Sequence, residues 1–210
     1  MIVRLLRILM AVAIFIFATG VQAQGQDPKL WYVAFGGGGA WYQDVKFGTG
    51  ASASMSPGFT LNGAFGRYID DVRVIRLEGE VLYDRSNIGD LSGVSASGTV
   101  SNGAVMFNAI YDIRFDSPWV PYLGGGLGYA IVDFDNFSSG GVTLLDDSAA
   151  AFAWQFKGGV AYEFSPSWVI NVGYRYYQTD NLEFTDPTGA RVSSGGTRIQ
   201  SAEVGLRVLF

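Results

Sequence analysis

The chain has 210 residues, a formal net charge of −5, and neither histidine nor cysteine. That composition excludes disulfides, thiolate metal sites, cysteine nucleophiles and every mechanism that rests on imidazole. Glycine (29 residues) and aromatic side chains (15%) are abundant, proline is scarce (6 residues), and the acidic balance disfavours nucleic acid as a partner.

Met1 to Ala23 has the pattern of a secretory signal. Arg4 and Arg7 form a cationic start, Ile8 to Phe17 is apolar and uncharged, and Val21-Gln22-Ala23 places small residues at the cleavage positions. Cleavage is expected before Gln24, with export through the Sec pathway. The apolar run is shorter than the roughly 20 residues a spanning helix needs, which argues against an anchor. Residues 24–210 are then expected to form one domain, and they contain no second apolar run of helix-spanning length. If that domain crosses a membrane it must do so with strands, and strands cross only as a closed barrel.

Eight segments alternate with a period of two: 30–43, 59–69, 74–84, 103–115, 119–132, 151–164, 168–178 and 198–210. The third is the clearest, with Ile75, Leu77, Gly79, Val81 and Tyr83 opposing Arg76, Glu78 and Glu80. In the fourth, Val105, Phe107, Ala109, Tyr111 and Ile113 oppose Asn108, Asp112 and Arg114. The sixth sets Phe152, Trp154, Phe156, Val160 and Tyr162 against Gln155, Lys157 and Glu163. The seventh sets Trp168, Ile170, Val172, Tyr174 and Tyr176 against Asn171 and Arg175. In the eighth, Ala202, Val204, Leu206, Val208 and Phe210 share one face, while Glu203 and Arg207 lie on the other. The first and fifth segments are rich in glycine, which leaves their parity open.

Short turns at Asp70-Asp71, Asp116-Ser117-Pro118 and Ser165-Pro166-Ser167 alternate with long Gly/Ser-rich connections over about 44–58, 85–102, 133–150 and 179–197. Three short turns and four long loops predict an all-β fold: an eight-stranded antiparallel up-and-down transmembrane β-barrel. The short turns would be periplasmic and the long loops extracellular. A basic side chain facing lipid at mid-membrane costs about 2–4 kcal/mol, so the apolar faces must meet lipid and the charged faces must line the lumen. The lumen set is Arg76, Arg114, Lys157, Arg175 and Arg207 against Glu78, Glu80, Asp112, Glu163 and Glu203. Five against five is neutral, so these residues are expected to form an ion-pair network. Trp31 and Trp41 are ten residues apart on one face, about 33 Å of strand and about 25 Å of height after tilting, which suits two membrane interfaces. Trp168 is placed at an interface as well. Most of the net negative charge is assigned to the outer loops and strand tips. Their acids are Asp44, Asp84, Asp90, Asp133, Asp135, Asp146, Asp147, Asp180, Glu183 and Asp186, set against Lys46, Arg85, Arg191 and Arg198.

The pattern Glu203-x-Gly205-x-x-Val208-x-Phe210 resembles the β-signal by which the barrel-assembly machinery recognises outer-membrane barrels. With Arg76-Leu77-Glu78-Gly79-Glu80, Asn108-x-x-Tyr111-Asp112, Pro121 to Tyr129 and Gly173-Tyr174-Arg175-Tyr176, it makes the chain resemble one family of Gram-negative bacteria. That family is the eight-stranded outer-membrane β-barrels, which includes OmpA-like and Opa-like surface antigens. The resemblance implies a place in the cell outer membrane among lipid and lipopolysaccharide, insertion by the assembly machinery, and loops offered to an extracellular ligand or host surface. The barrel enzymes of that membrane depend on histidine, so no catalytic residue is assigned, and no metal or cofactor is expected. Two roles remain. One is a surface protein whose lumen is plugged by side chains, acting structurally or through its loops. The other is a narrow channel or transporter for small solutes.

Overall fold

The computed structural model describes residues 30–46, 52–91, 94–139, 142–185 and 191–210. Met1 to Ala23, expected to be a secretory signal, lies outside them. The described residues form twelve strands and no helix. In chain order these are β1 (Trp31–Tyr42), β2 (Val45–Lys46), β3 (Ser52–Met55), β4 (Gly58–Tyr68), β5 (Ile75–Leu91) and β6 (Val94–Asp112). They continue with β7 (Trp119–Ser139), β8 (Val142–Glu163), β9 (Trp168–Thr179), β10 (Leu182–Thr185), β11 (Arg191–Ser194) and β12 (Arg198–Leu209).

Eight of them close into an antiparallel barrel in the ring order β1-β4-β5-β6-β7-β8-β9-β12, and β12 returns to pair with β1. Closure leaves no sheet edge within the wall, as a lipid environment demands. β2 and β3 are added outside the ring, β3 pairing with the far end of β5, and β10 pairs with β11 in a separate hairpin. The three short turns occupy residues 69–74, 113–118 and 164–167. In the first, both Asp70 carboxylate oxygens accept backbone N–H groups, from Val74 and Ile75, and Arg73 takes the left-handed conformation (φ 56°) that lets the chain re-enter β5.

The outward face is apolar across the middle of the wall, with charged residues such as Arg67 and Arg85 only towards the strand ends. Phe35, Leu61, Phe65, Val105, Phe107, Leu127, Phe156, Val172 and Val204 are all exposed in the isolated chain, which is the surface a bilayer would cover. Parity is now fixed in the two glycine-rich strands. Tyr32, Ala40 and Tyr42 of β1 point inward with Trp31 and Trp41 outward, and Val120, Tyr122, Ala130 and Val132 of β7 point inward with Leu123, Leu127 and Tyr129 outward.

The strands are longer than their apolar pattern. Most of 85–102 and 133–150, expected as loops, continues β5, β6, β7 and β8. At about 3.3 Å per residue, the 21 residues of β7 run about 70 Å, far more than a tilted strand needs to cross the apolar band. Lipid imposes apolar/polar alternation only while it touches one face. Beyond the membrane the pattern lapses, but the backbone ladder, as in Ser101↔Asp133 and Asp133↔Ser148, carries on.

Candidate functional site in the barrel lumen

The lumen is filled in three layers. At the short-turn end, Tyr32, Tyr68, Ile110, Val120, Tyr122, Ala161, Val169 and Leu209 form an apolar floor. Towards the other end, Ala40, Leu82, Ala104, Met106, Ala130, Val132, Ala153, Tyr177 and Ile199 form a second apolar cluster, joined by Leu182 at the start of β10. Ionic and amide side chains lie between them.

All ten residues expected in the ion-pair network fall among the lumen contacts. Glu80 on β5 is the most heavily bonded. It accepts hydrogen bonds from Arg175 Nη2 (2.7 Å), Gln155 Nε2 (2.7 Å), Asn108 Nδ2 (2.8 Å) and Lys157 Nζ (3.1 Å). Glu78 accepts from Tyr32 (2.8 Å), Lys157 (3.0 Å), Asn108 (3.1 Å) and Arg76 (3.2 Å). Arg175 also grips Glu203 with two nitrogens, at 2.7 and 3.0 Å, and Glu203 accepts from Asn62 and Ser201. Nearer the short turns, Asp112 accepts from Tyr68 (2.8 Å), Arg76 Nε (3.1 Å) and Arg207 (3.5 Å). Arg114 bridges Glu163 (2.7 Å) and the Arg73 carbonyl (3.0 Å) at the mouth. Burial works against the Arg114 charge, but the hydrogen bond to Glu163 together with the charges of Glu163 and Asp112 and the Tyr68 hydroxyl outweighs this and holds its pKa above the ordinary arginine value. The Arg76 and Arg207 guanidiniums lie over the faces of Tyr32, Tyr68 and Tyr122, at 5.4–5.9 Å from the ring centres.

Ring order gives these contacts their meaning. β5 and β9 are four places apart in a ring of eight, and so are β6 and β12. The pairs Glu80–Arg175 and Asp112–Arg207 therefore each cross the full bore. Small residues make room for this. A Cβ on Gly126 would strike the Asn108 amide, and one on Gly66 would strike the Tyr32 ring. The glycines of β4 and β7 are thus filled by neighbouring side chains. A cavity of about 50 Å³ remains beside the network, bordered by Arg76, Glu78, Lys157, Glu203 and Arg207.

One assignment is corrected. Asp84, counted with the outer surface, is buried in the lumen and accepts a hydrogen bond from Asn102 (2.9 Å). Asp44, Asp90 and Asp180 are exposed as expected. Side chains of the other loop acids, Asp133 apart, lie outside the described residues. Sequence reasoning also missed the neutral members of the network. Asn108 and Gln155 were on charged faces by parity, but Tyr32, Tyr68, Asn62 and Asn102 carried no signal beyond their place in a strand. Of the interface aromatics, Trp31, Trp41 and Trp168 face outward, and Trp119, which was missed, joins them against Tyr162. In the terminal pattern, Glu203 belongs to the network. Gly205 faces the Asn171 amide, Val208 is half-buried opposite Val33, and the Phe210 N–H donates to the Trp31 carbonyl (2.9 Å).

Residues 9–195 match the family model described as the outer membrane protein beta-barrel domain. A protein of Gluconacetobacter diazotrophicus described as an outer membrane protein is 33% identical over 119 residues, 50% of this chain and 31% of the relative. An uncharacterized protein of Brucella abortus is 31% identical over 83 residues, 36% of this chain and 29% of the relative. The chain thus spans less than a third of the length of these curated relatives. Among solved structures, Neisserial surface protein A is similar with a TM-score of 0.58 and 23% identity, covering 86% of this chain and 97% of that one. The outer membrane protein OprG from Pseudomonas aeruginosa is similar with a TM-score of 0.59 and 15% identity, covering 88% and 98%. Both likenesses concern the fold alone. With the family model matched along most of its length and a closed, lipid-faced barrel of eight strands, the chain belongs to the outer membrane protein β-barrel domain family and resides in the outer membrane of a Gram-negative cell.

Proposed function

We propose that this protein is a non-catalytic surface protein, a side-chain-plugged barrel that holds its extracellular strands and loops in place for contact with the environment. The observation that carries this reading is the pair of ion bridges across the full bore, Glu80–Arg175 and Asp112–Arg207, between two apolar layers. Eight strands give an interior that side chains are able to fill, and here they meet in the middle. The absence of histidine and cysteine from the chain, and the use of the lumen carboxylates as ion-pair acceptors, support a role without catalysis. Exposed acids at the extracellular end favour cations or basic partners, on a host surface or among lipopolysaccharide. Met1 to Ala23 would direct export, and the barrel-assembly machinery would read the terminal strand.

The 50 Å³ cavity favours a second reading, a narrow channel. At about 10–15 Å³ of such volume per molecule it holds only a few waters. Conductance of the refolded protein in planar bilayers separates the two. A plugged barrel shows at most brief, rare openings, and Glu78→Ala, which frees Lys157 and Arg76 from one shared carboxylate, raises conductance. Steady wild-type current that Glu78→Ala leaves unchanged would establish the channel.

A further inference from the structure

Among the described residues of the barrel strands, three arginines face outward: Arg67, Arg85 and Arg198. Arg67, at the short-turn end, lies over the Trp31 ring at 5.1 Å. Arg85 and Arg198 are exposed at the opposite end, and neither makes an ion pair or a ring contact among the described residues. Arg198 opens β12, and Gln178 is its direct partner on β9. Gln178 is ten residues beyond Trp168 on the same outward face. That is about 33 Å of strand and about 25 Å of height after tilting, so the pair stands at the far edge of the apolar band.

Arg198 is surrounded by hydrogen-bond donors. The Tyr176 hydroxyl donates to the Gln178 side-chain oxygen (3.1 Å), and the Tyr174 hydroxyl donates to that of Gln200 (2.7 Å), two residues along β12 from Arg198. With each amide oxygen taken, both amide nitrogens are left as donors near the guanidinium, and no acceptor answers them among the described residues. Trp41, exposed on the outer face of β1, is the direct partner of Gln200. On the membrane side of this group the wall is apolar and exposed, with Val172 and Val204 paired across β9 and β12. The exposed acids of this rim, Asp44 and Asp180, lie further along their strands, away from the membrane, and form no ion pair with Arg198. Arg85 has no such company: its cross-strand partners are Phe59 and Ser101.

We propose that Arg198, Gln178 and Gln200 form an outer-wall site for a phosphate group of a membrane glycolipid, the phosphorylated sugar headgroup of lipopolysaccharide. The proposal rests on the extracellular placement of the long strands and is independent of whether the lumen conducts. A guanidinium fork with two amide donors matches an anion that offers several acceptor oxygens. The site lies on the wall at the edge of the apolar band, where the headgroup of a lipid arrives while its acyl chains cover Val172 and Val204. Trp41 offers an aromatic face beside the donors, which suits a sugar ring.

The test uses the refolded full barrel in neutral detergent micelles, titrated with lipid A, with its dephosphorylated form and with phosphatidylglycerol, and bound lipid is counted by native mass spectrometry. The wild type should bind phosphorylated lipid A about tenfold or more tighter than the dephosphorylated form, as the loss of a hydrogen bond to a charged group predicts. Arg198→Gln should abolish that preference. Arg85→Gln, which removes the same charge from the same rim, should keep it. No preference in the wild type, a result that needs no variant, would overturn the proposal. So would equal losses in the two variants, which would mean general attraction by rim charge. Phosphatidylglycerol binding as tight as that of lipid A would exclude recognition of the glycolipid, and displacement of lipid A by millimolar inorganic phosphate would reassign the site to a soluble anion.

Discussion

Arg175→Met is the sharpest perturbation of the lumen, because the fate of each former partner is readable. Arg175 is only 2% exposed and holds Glu80 (2.7 Å), Glu203 (2.7 and 3.0 Å) and the Gln155 oxygen (2.5 Å). Without it, Glu80 still has Lys157 at 3.1 Å and two amide donors, so its charge stays compensated. Glu203 does not. Its remaining donors are Asn62 and Ser201, both neutral. One buried carboxylate is therefore stranded, and breaking a buried pair in that way costs about 3–5 kcal/mol. Glu203→Gln strands nothing comparable, since Arg175 keeps Glu80, and should cost about 1.5–3 kcal/mol, the worth of hydrogen bonds to a charged group. The double variant removes both charges, so its loss should fall short of the sum by about 1–3 kcal/mol. Urea unfolding followed by tryptophan fluorescence measures all three. Additive losses, or an Arg175→Met loss below about 1 kcal/mol, would mean that water already screens the bore, and the plug argument would fail with it.

Three further outcomes follow from the same geometry. Gly126→Ala puts a methyl group into the Asn108 amide and should cost about 1–3 kcal/mol in the same unfolding assay, as overpacking does; a neutral result would mean the amide has room to retreat. Phe210→Ser should lower the amount of assembled barrel in cells more than the refolding yield in micelles. Gly205→Glu, which collides with Asn171, should lower both alike, and equal behaviour of the two variants would remove any separate role for the terminal aromatic in recognition. Mass spectrometry of the purified outer-membrane form should find Gln24 at its amino terminus; a retained Met1 would refute the export signal.

The strand pattern was legible because lipid enforces it. β5, β6, β8, β9 and β12 have their apolar and charged faces where period two puts them, since a misplaced charge at mid-membrane on the outer face is too costly to survive. β1 and β7 resisted for a local reason. Gly36 to Gly39 and Gly124 to Gly126 carry no side chain to reveal a face, and their parity is set by what fills the space, such as Asn62 against Gly36 and Asn108 against Gly126. That complementarity between a glycine on one strand and an amide on the next links residues 18 to 26 positions apart, so a window moving along the chain does not see it.

Asp84 shows where pattern reasoning stops and why. It shares parity with Arg76, Glu78 and Glu80, and the alternation alone places it inward. Hydropathy places it at the surface because the apolar face ends at Tyr83, and a strand end inferred from hydropathy is really the end of lipid contact. The lumen does not end there. Inward positions continue through Ser86 and Ile88, both buried, on a strand whose outer face has already reached water. The two faces of a membrane strand obey different boundaries: the outer one is set by the bilayer and the inner one by the plug. An acid lying between those boundaries looks like a surface residue in sequence and is a buried charge in the fold. Asp84 is such a residue: its carboxylate meets the Asn102 amide inside the barrel rather than water outside it.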